Sequence, residues 1–385
     1  MLWLVVLLFA GQFEVAFRAG LMALNNNDLG VAESQLESAS KLQPRNARVW
    51  LALAETYWKL HKLPASESAA KKAEALTPEP SILEGLAFYY SEAANYGKAA
   101  ELEARYAETS PDALPRAADL YLRAGKPKLA IQLTRKALQA NDRAQLRDLL
   151  GKAYEADGDP ARAIVEFQAA IKQSRYDETF YFDLAQVQLK QQAFAAALET
   201  LDAGRKYFDK SAQLELASGV AYYGLRRFPE AIDAFLRTIR LDPAVEQPYV
   251  FLGRTLDQAE DKLPAITEVF AAFAKTAPDN YLSNFLYAKS LALEDPDRAA
   301  ALLRQSIARN AQFWEAHFEL GVLLEARGKL DDAATEIKRS IELNSKDPTP
   351  HYRLARIYDR LGKPSEAAAE RELHAKLSAA GAVIK

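Results

Sequence analysis

Four histidines, paired acids such as Asp331-Asp332 and a complete lack of cysteine define what chemistry this chain can do. His317 and His351 stand 34 residues apart and occupy the same place in a pattern that recurs along the chain. Stacked on neighbouring elements they suggest a metal site, but a metal needs several convergent ligands. Trp50 and Tyr249 fill the same place elsewhere, so the two histidines read as aromatic-slot residues of a helix interface. His61 and His374 fall near helix ends and show no partner. Asp331 and Asp332 read as helix-start residues, where they complement the positive end of the helix dipole. The absence of cysteine removes disulfides, thiolate metal sites and cysteine nucleophiles together. No HExxH, G-x-x-x-x-G-K-[ST] or G-x-G-x-x-G motif occurs, so nothing marks a zinc hydrolase, a phosphate cradle or a dinucleotide site. The chain therefore reads as a non-enzyme with no cofactor and no metal.

What positions these residues is a double repeat of small side chains. One series runs Gly20, Ala54, Ala87, Ala118, Gly151, Ala185, Gly219, Gly253, Ala288, Gly321 and Ala355, in steps of 31 to 35 residues. A second keeps pace with it: Ala32, Ser66, Ala99, Ala130, Ala163, Ala197, Ala231, Ala265, Ala300, Ala333 and Ala367. A period near 34 is that of a helix-turn-helix array. Gly125-Lys-Pro127, Gly158-Asp-Pro160 and Gly362-Lys-Pro364 mark its turns. Glycine closes one helix in a left-handed conformation and proline opens the next. Pro44, Pro78, Pro111, Pro243 and Pro278 end units, and all 17 prolines can be placed at helix starts or turns. Large residues lie four before and three after the first small residue, as in Trp50/Ala54/Tyr57 and His351/Ala355/Tyr358, on one helix face.

Large-x-x-Leu-Gly-x-x-Tyr, then Ala, an aromatic and Ala, with Pro at the unit end, resembles the tetratricopeptide repeat. Leu150, Gly151, Tyr154, Gly158, Ala163, Phe167 and Ala170 show it well, as do Gly219, Tyr222, Ala231, Phe235 and Pro243. The resemblance implies an all-α, right-handed α-solenoid (superhelix) of about eleven repeats. They are expected near 13–46, 47–79, 80–110, 111–143, 144–177, 178–211, 212–245, 246–280, 281–313, 314–347 and 348–381, within one solenoid spanning 13–385. The match is looser between Pro80 and Asp142, where Pro115 is expected to shorten a first helix.

The resemblance also implies that first helices line a concave face that binds peptides. With the first small residue as unit position 8, positions 5, 9 and 12 share a face beside the packing face. Position 5 of the last six units reads Phe182, Leu216, Val250, Phe285, Phe318 and Tyr352. Position 9 contributes Gln186, Arg254, Lys289 and Arg356, and position 12 contributes Tyr223, Asp257 and Asp359. Aromatics with arginine are the residue types that carry interface energy. The competing reading is that the position 5 stripe packs against the adjoining repeat. The lysine and asparagine pattern of a carboxylate clamp is absent.

The formal net charge of −3 gives no reason to expect nucleic acid. Residues 1–12 begin MLWLVVLLFA, an apolar run too short for the roughly 20 residues of a membrane span. It matches the apolar middle of a secretory signal, with Ala10-Gly11 as the small-residue exit, or else an apolar helix packed over the first repeat. Export to a bacterial periplasm or cell envelope is the first expectation, a cytoplasmic setting the second. The charged second helix of the last unit fits a terminal repeat. The expected role is a protein-interaction scaffold, monomeric or weakly self-associating, whose partners are proteins or peptides. The alternatives are a structural self-associating solenoid and, less favoured, a regulatory subunit of an enzyme such as a glycosyltransferase.

Overall fold

The computed structural model describes residues 2–76 and 79–382, and the side chains of residues 11–76 and 79–380. All regular elements among them are helices. The helices fall into two compact blocks, Met1–Gln191 and Gln192–Lys385. The first holds α1 (Leu2–Asn25), α2 (Leu29–Leu42), α3 (Ala47–Lys59), α4 (Leu63–Ala75), α5 (Pro80–Glu92) and α6 (Tyr96–Tyr106). It continues with α7 (Leu114–Arg123), α8 (Pro127–Ala140), α9 (Ala144–Ala156), α10 (Pro160–Gln173) and α11 (Glu178–Lys190). The second holds α12 (Phe194–Arg205), α13 (Ala212–Gly224), α14 (Phe228–Leu241), α15 (Gln247–Arg254), α16 (Leu263–Thr276) and α17 (Tyr281–Leu291). It ends with α18 (Pro296–Arg309), α19 (Trp314–Ala326), α20 (Leu330–Leu343), α21 (Pro348–Arg360) and α22 (Pro364–Ala382).

Within each block consecutive helices pack as hairpins, α1 on α2 through α9 on α10, and α13 on α14 through α21 on α22. The α15–α16 pair is the exception. Each second helix also packs on the next first helix, as α2 on α3 and α20 on α21. The odd-numbered helices touch one another as well, α3 on α5 and α7 on α9 in one block, α15 on α17 and α19 on α21 in the other. Each block thus presents a face made of odd-numbered helices.

The small residues are the points of closest approach. A Cβ added to Gly151 would meet the Phe167 ring at 2.6 Å, and one on Gly219 the Phe235 ring at 2.5 Å. Gly321 faces Ile337 at 2.7 Å, and Gly20 faces Leu36 at 2.6 Å. In every case the partner lies 16 residues on, upon the second helix of the same hairpin. From that helix the alanine series answers, and Ala32, Ala163, Ala231 and Ala333 are fully buried. Ser66 keeps its place in that series because its hydroxyl donates to the Ala54 carbonyl at 2.6 Å and meets the Tyr89 hydroxyl at 2.7 Å. Buried hydroxyls require such partners.

The turns follow one plan. Gly125, Gly158, Gly328 and Gly362 close first helices with φ between +68° and +80°. Asn27, His61, Ala94, Gln192, Arg226 and Glu260 occupy the equivalent turn position with φ between +45° and +59°, although L-residues adopt that conformation at a cost. Prolines at Pro64, Pro80, Pro127, Pro160, Pro296 and Pro364 sit in the first turn of their helices. Pro78 lies outside the described residues. As Pro115 suggested, α7 is short, ten residues behind a 3-10 turn at Pro111–Ala113.

The eighth repeat departs from the sequence reading. α15 ends after eight residues, and two 3-10 turns, Leu256–Gln258 and Glu260–Lys262, carry the chain to α16. Gly253 packs against Leu286 of α17, which a Cβ would approach to 2.4 Å, rather than against α16. The phase of the second helix moves by one residue. Ala265 is exposed, and Ile266 is the fully buried residue in the slot assigned to it. Asp257 accordingly sits in a 3-10 turn and is exposed.

Three substitutions check this account. Gly151→Ala should lower the denaturant midpoint, because its methyl enters the space of fully buried Phe167, at a cost of about 1–3 kcal/mol. Gly30→Ala, where a Cβ meets nothing within 4 Å, should raise the midpoint or leave it unchanged. Replacing Arg226 by glycine, which takes φ of +59° without penalty, should stabilise the second block by ~1 kcal/mol. No gain in midpoint would show that the turn tolerates a side chain freely.

Candidate functional site

The residues expected to form a binding face divide between the blocks. Phe182 and Gln186 stand on α11 of the first block, both half-buried. The other nine stand on odd-numbered helices of the second block. Leu216 and Tyr223 of α13 are half-buried, and Tyr223 packs edge-on against Phe251 at 5.3 Å and Phe228 at 5.7 Å. Those contacts are interior, so Tyr223 gives the face only part of its ring.

Five of the nine come together. Val250 and Arg254 of α15, Phe285 and Lys289 of α17 and Phe318 of α19 line one cavity of about 410 Å³. The cavity opens beside Gly253, where α15 stops short. Phe285 is 7% exposed and packs edge-on against Phe313 at 4.8 Å, so it is a core residue that also walls the cavity. Phe318 is half-buried, and Tyr352 on α21 is exposed, 5.5 Å from the His374 ring. The position 5 stripe therefore mixes interior and surface residues.

Sequence reasoning missed the polar half of this wall. Trp314, Glu315, Glu319 and Asp347 line the same cavity. The Lys289 ammonium donates to the Gly253 carbonyl at 3.4 Å and lies 3.6 Å from the Glu319 carboxylate. Burial pushes the Glu319 carboxyl upward, and Lys289 opposes that shift. Burial also pushes the Glu315 carboxyl upward, with Asp347 adding its field and Lys289 opposing it. Arg254 is exposed and forms no ion pair among the described residues. Further along the face, buried Glu325 is ringed by Arg353, Arg356 and Arg360 at 3.4, 3.9 and 3.6 Å. Arg356 is thus tethered, though half of its side chain remains exposed.

The first block has its own hollow on its odd-helix face, about 560 Å³ between α5 and α7. Phe88 stands in it with 66% of its surface exposed. Arg116 closes one side, 2.6 Å from buried Glu103 and 2.9 Å from Glu84. Phe88 stands at position 9, the register that Arg254 and Lys289 occupy in the second block, so its place on this face is legible in the sequence. Both cavities sit beside a shortened first helix. A larger hollow of about 730 Å³ lies at loop ends around Gln43, Asn46 and Arg48 and has no converging aromatic wall.

The histidines have structural partners. His317 Nδ1 lies 2.7 Å from Glu336 and His351 Nδ1 2.6 Å from Glu370, each across its own hairpin, and both rings are buried. Elsewhere the same slot ties to the preceding turn, as Trp50 donates to the Pro44 carbonyl and Tyr249 to the Pro243 carbonyl. His61 sits in a left-handed turn, and His374, expected to lack a partner, has its Nδ1 2.9 Å from the Pro348 carbonyl. No group of three metal-ligating side chains occurs among the described residues. No helix among them is long and apolar enough to cross a membrane.

A model of the tetratricopeptide repeat matches residues 17–81, 116–178 and 290–348, and a second one matches residues 154–219. The chain belongs to the tetratricopeptide repeat family. Among solved structures it is similar to yeast Tom70, with 15% identity over 95% of this chain and 92% of that one, TM-score 0.41. It is also similar to a repeat-containing protein of Cytophaga hutchinsonii, with 16% identity over 69% and 96%, TM-score 0.45. The Cut9–Hcn1 assembly gives 13% identity over 94% and 86%, TM-score 0.44. At this level these likenesses carry no argument about function. No curated protein matches the sequence.

One charged cluster on this face of the first block makes a pH prediction for the repeat array. Asp148 of α9, at position 5, is 6% exposed, with the Lys152 ammonium at 2.7 Å. Lys152 also lies 2.9 Å from Asp183 on α11. Burial pushes the Asp148 carboxyl up to about 6, Lys152 opposes this, and Asp183 reinforces it. The folded carboxyl thus binds its proton more tightly than the unfolded one, whose pKa is ~3.9. Stability should therefore fall as pH rises from about 4 to 6 and level off above, by on the order of 2 kcal/mol. Asp148→Asn should flatten that part of the wild-type profile, as read by hydrogen exchange of α9 amides. An unchanged slope would exclude Asp148 as its source.

Proposed function

We propose that this chain is a non-catalytic interaction scaffold that holds extended or helical segments of protein partners on its odd-helix faces. The observation that carries this reading is the 410 Å³ cavity of the second block, where Phe318 and Trp314 stand half-buried beside Arg254 and Lys289. Pockets of this size, mostly apolar with a few converging polar groups, suit a side chain of a docked segment. Phe88 supports the same reading for the first block, being a large apolar side chain left in the open within a hollow. Each repeat contacts mainly its neighbours, which leaves an extended surface rather than a closed active site. The absence of catalytic motifs supports the non-enzymatic role.

The apolar stretch at the start supports placing the scaffold in a bacterial cell envelope, where it would serve assembly or secretion. α1 runs without a break from Leu2 to Asn25. Removal of residues 1–10 would leave Phe13, Ala16, Gly20, Ala23 and Leu24 of α1, which pack against the array. Cell fractionation with N-terminal sequencing of the mature chain tests this part.

A photocrosslinking amino acid at Phe318 or Phe88, and at exposed Val165 on α10 as a control, tests the binding reading in native cells. Adducts with another protein should form from the two face positions and not from Val165. Adducts of twice the chain's own mass would instead support self-association. Equal labelling from Val165 would move binding off the odd-helix faces.

A further inference from the structure

The charges around the cavity of the second block are not balanced. Three carboxylates, Glu315, Glu319 and Asp347, share its lining with two cations, Arg254 and Lys289. Lys289 is already engaged, 3.6 Å from Glu319 and bonded to the Gly253 carbonyl. Arg254 stands on α15 with its guanidinium 5.9 Å from the Phe251 ring. Asp347 caps α21, accepting the Thr349 amide at 2.8 Å, and retains its second carboxylate oxygen. Glu315, one residue after Trp314, is half-buried; its own backbone amide and the field of Lys289 offset only part of its burial, and it has no ion pair among the described residues. A carboxylate that is partly desolvated and lacks a cation is unfavourable, and bringing one to it recovers that cost.

The wall beside these acids is aromatic, formed by Trp314, Phe318, Phe313 and Phe285. Aromatic faces attract cations, tryptophan most strongly. The chain already makes one such contact here, with Lys289 5.8 Å over the Phe285 ring. A long basic side chain fits both features, because its methylene stem can lie on rings while its head meets carboxylates.

We propose that this cavity takes a lysine or arginine side chain of a partner polypeptide, the stem against Trp314 and Phe318 and the cation between Glu315 and Asp347. The proposal rests on the peptide-binding reading and names the chemistry of its ligand. It places selectivity in Glu315 and Asp347 and engages Lys289 as the internal counter-charge of Glu319. An acidic partner segment would meet net like charge in this cavity, which disfavours it.

The test is selection of a random-peptide phage library on the full chain, with Phe318→Ala, which removes the ring without adding charge, as counter-selection to keep only peptides that use the cavity. Selected peptides should carry lysine or arginine beside apolar residues. Their synthetic forms should bind about tenfold more weakly to Glu315→Gln or Asp347→Asn, a step of the size charge pairs give at interfaces. The same peptides with norleucine in place of the basic residue should be weakened likewise on the parent chain and be indifferent to Glu315→Gln. Circular dichroism establishes that each variant keeps its helices. Cavity-dependent peptides with neutral or acidic residues would overturn the cation assignment while leaving the peptide-binding face intact. Spermidine alone displacing the peptides at equal concentration would overturn it in favour of a small-amine site. If no selected peptide depended on Phe318, the peptide-binding reading of this block would fall, and the assignment with it.

Discussion

The close approach of two helices at a glycine or alanine is the contact on which the rest of the molecule depends. Gly151 against Phe167, Gly219 against Phe235 and Gly321 against Ile337 are one interaction repeated. A missing side chain on the first helix receives a large one from the second, 16 residues later. This sets the spacing of the hairpin, and hence which positions remain free to face outward. Because interiors are close-packed, the tolerance at this contact is below one methyl group. The left-handed turns between the helices follow from it. Six of them are made by residues other than glycine, so packing of the hairpin outweighs the local backbone cost.

The cavities form where this contact is altered. In the eighth repeat Gly253 faces Leu286 of the next first helix, α15 stops early, and the phase of α16 moves by one residue. The space that a regular last turn of α15 would have filled lies beside the cavity wall. At α7 a 3-10 turn replaces the first helical turn, and again a hollow with an exposed aromatic stands next to it. Regular repeats give a continuous surface, and irregular ones give it a local shape that a ligand can recognise.

Charge on the odd-helix faces follows a second rule. Carboxylates there and in the helix interfaces beside them are taken out of solvent and tied to arginine or lysine: Glu103 of α6 to Arg116, Glu215 to Arg205 and Arg237, Glu325 to three arginines, and Asp148 to Lys152 one turn along α9. Such pairs contribute little to net stability, because desolvation offsets attraction, yet they orient the side chains that carry them. Glu315 is the departure from that rule within the second block's cavity, and its lack of a cation gives the wall its polarity.

The 34-residue beat of small residues by itself determined the helical class, the number of hairpins, the turn positions and the placement of the described prolines. A packing requirement repeated along the chain leaves a periodic trace that survives every change of surface residue. The same beat assigned His317 and His351 to an interface slot. It misplaced Ala265, because a repeat in which a helix ends early keeps its sequence period while its phase slips. It left the position 5 stripe undivided into core and surface, since Phe285 and Phe318 are equally apolar and differ only in what stands against them. Glu315, Glu319 and Asp347 carried no signal at all. Acids on helix surfaces are ordinary, and only the folding of α15, α17, α19 and the start of α21 around one space sets them against aromatic rings. Periodicity records local packing, whereas a site made by convergence of the first helices of four repeats is decided by tertiary structure.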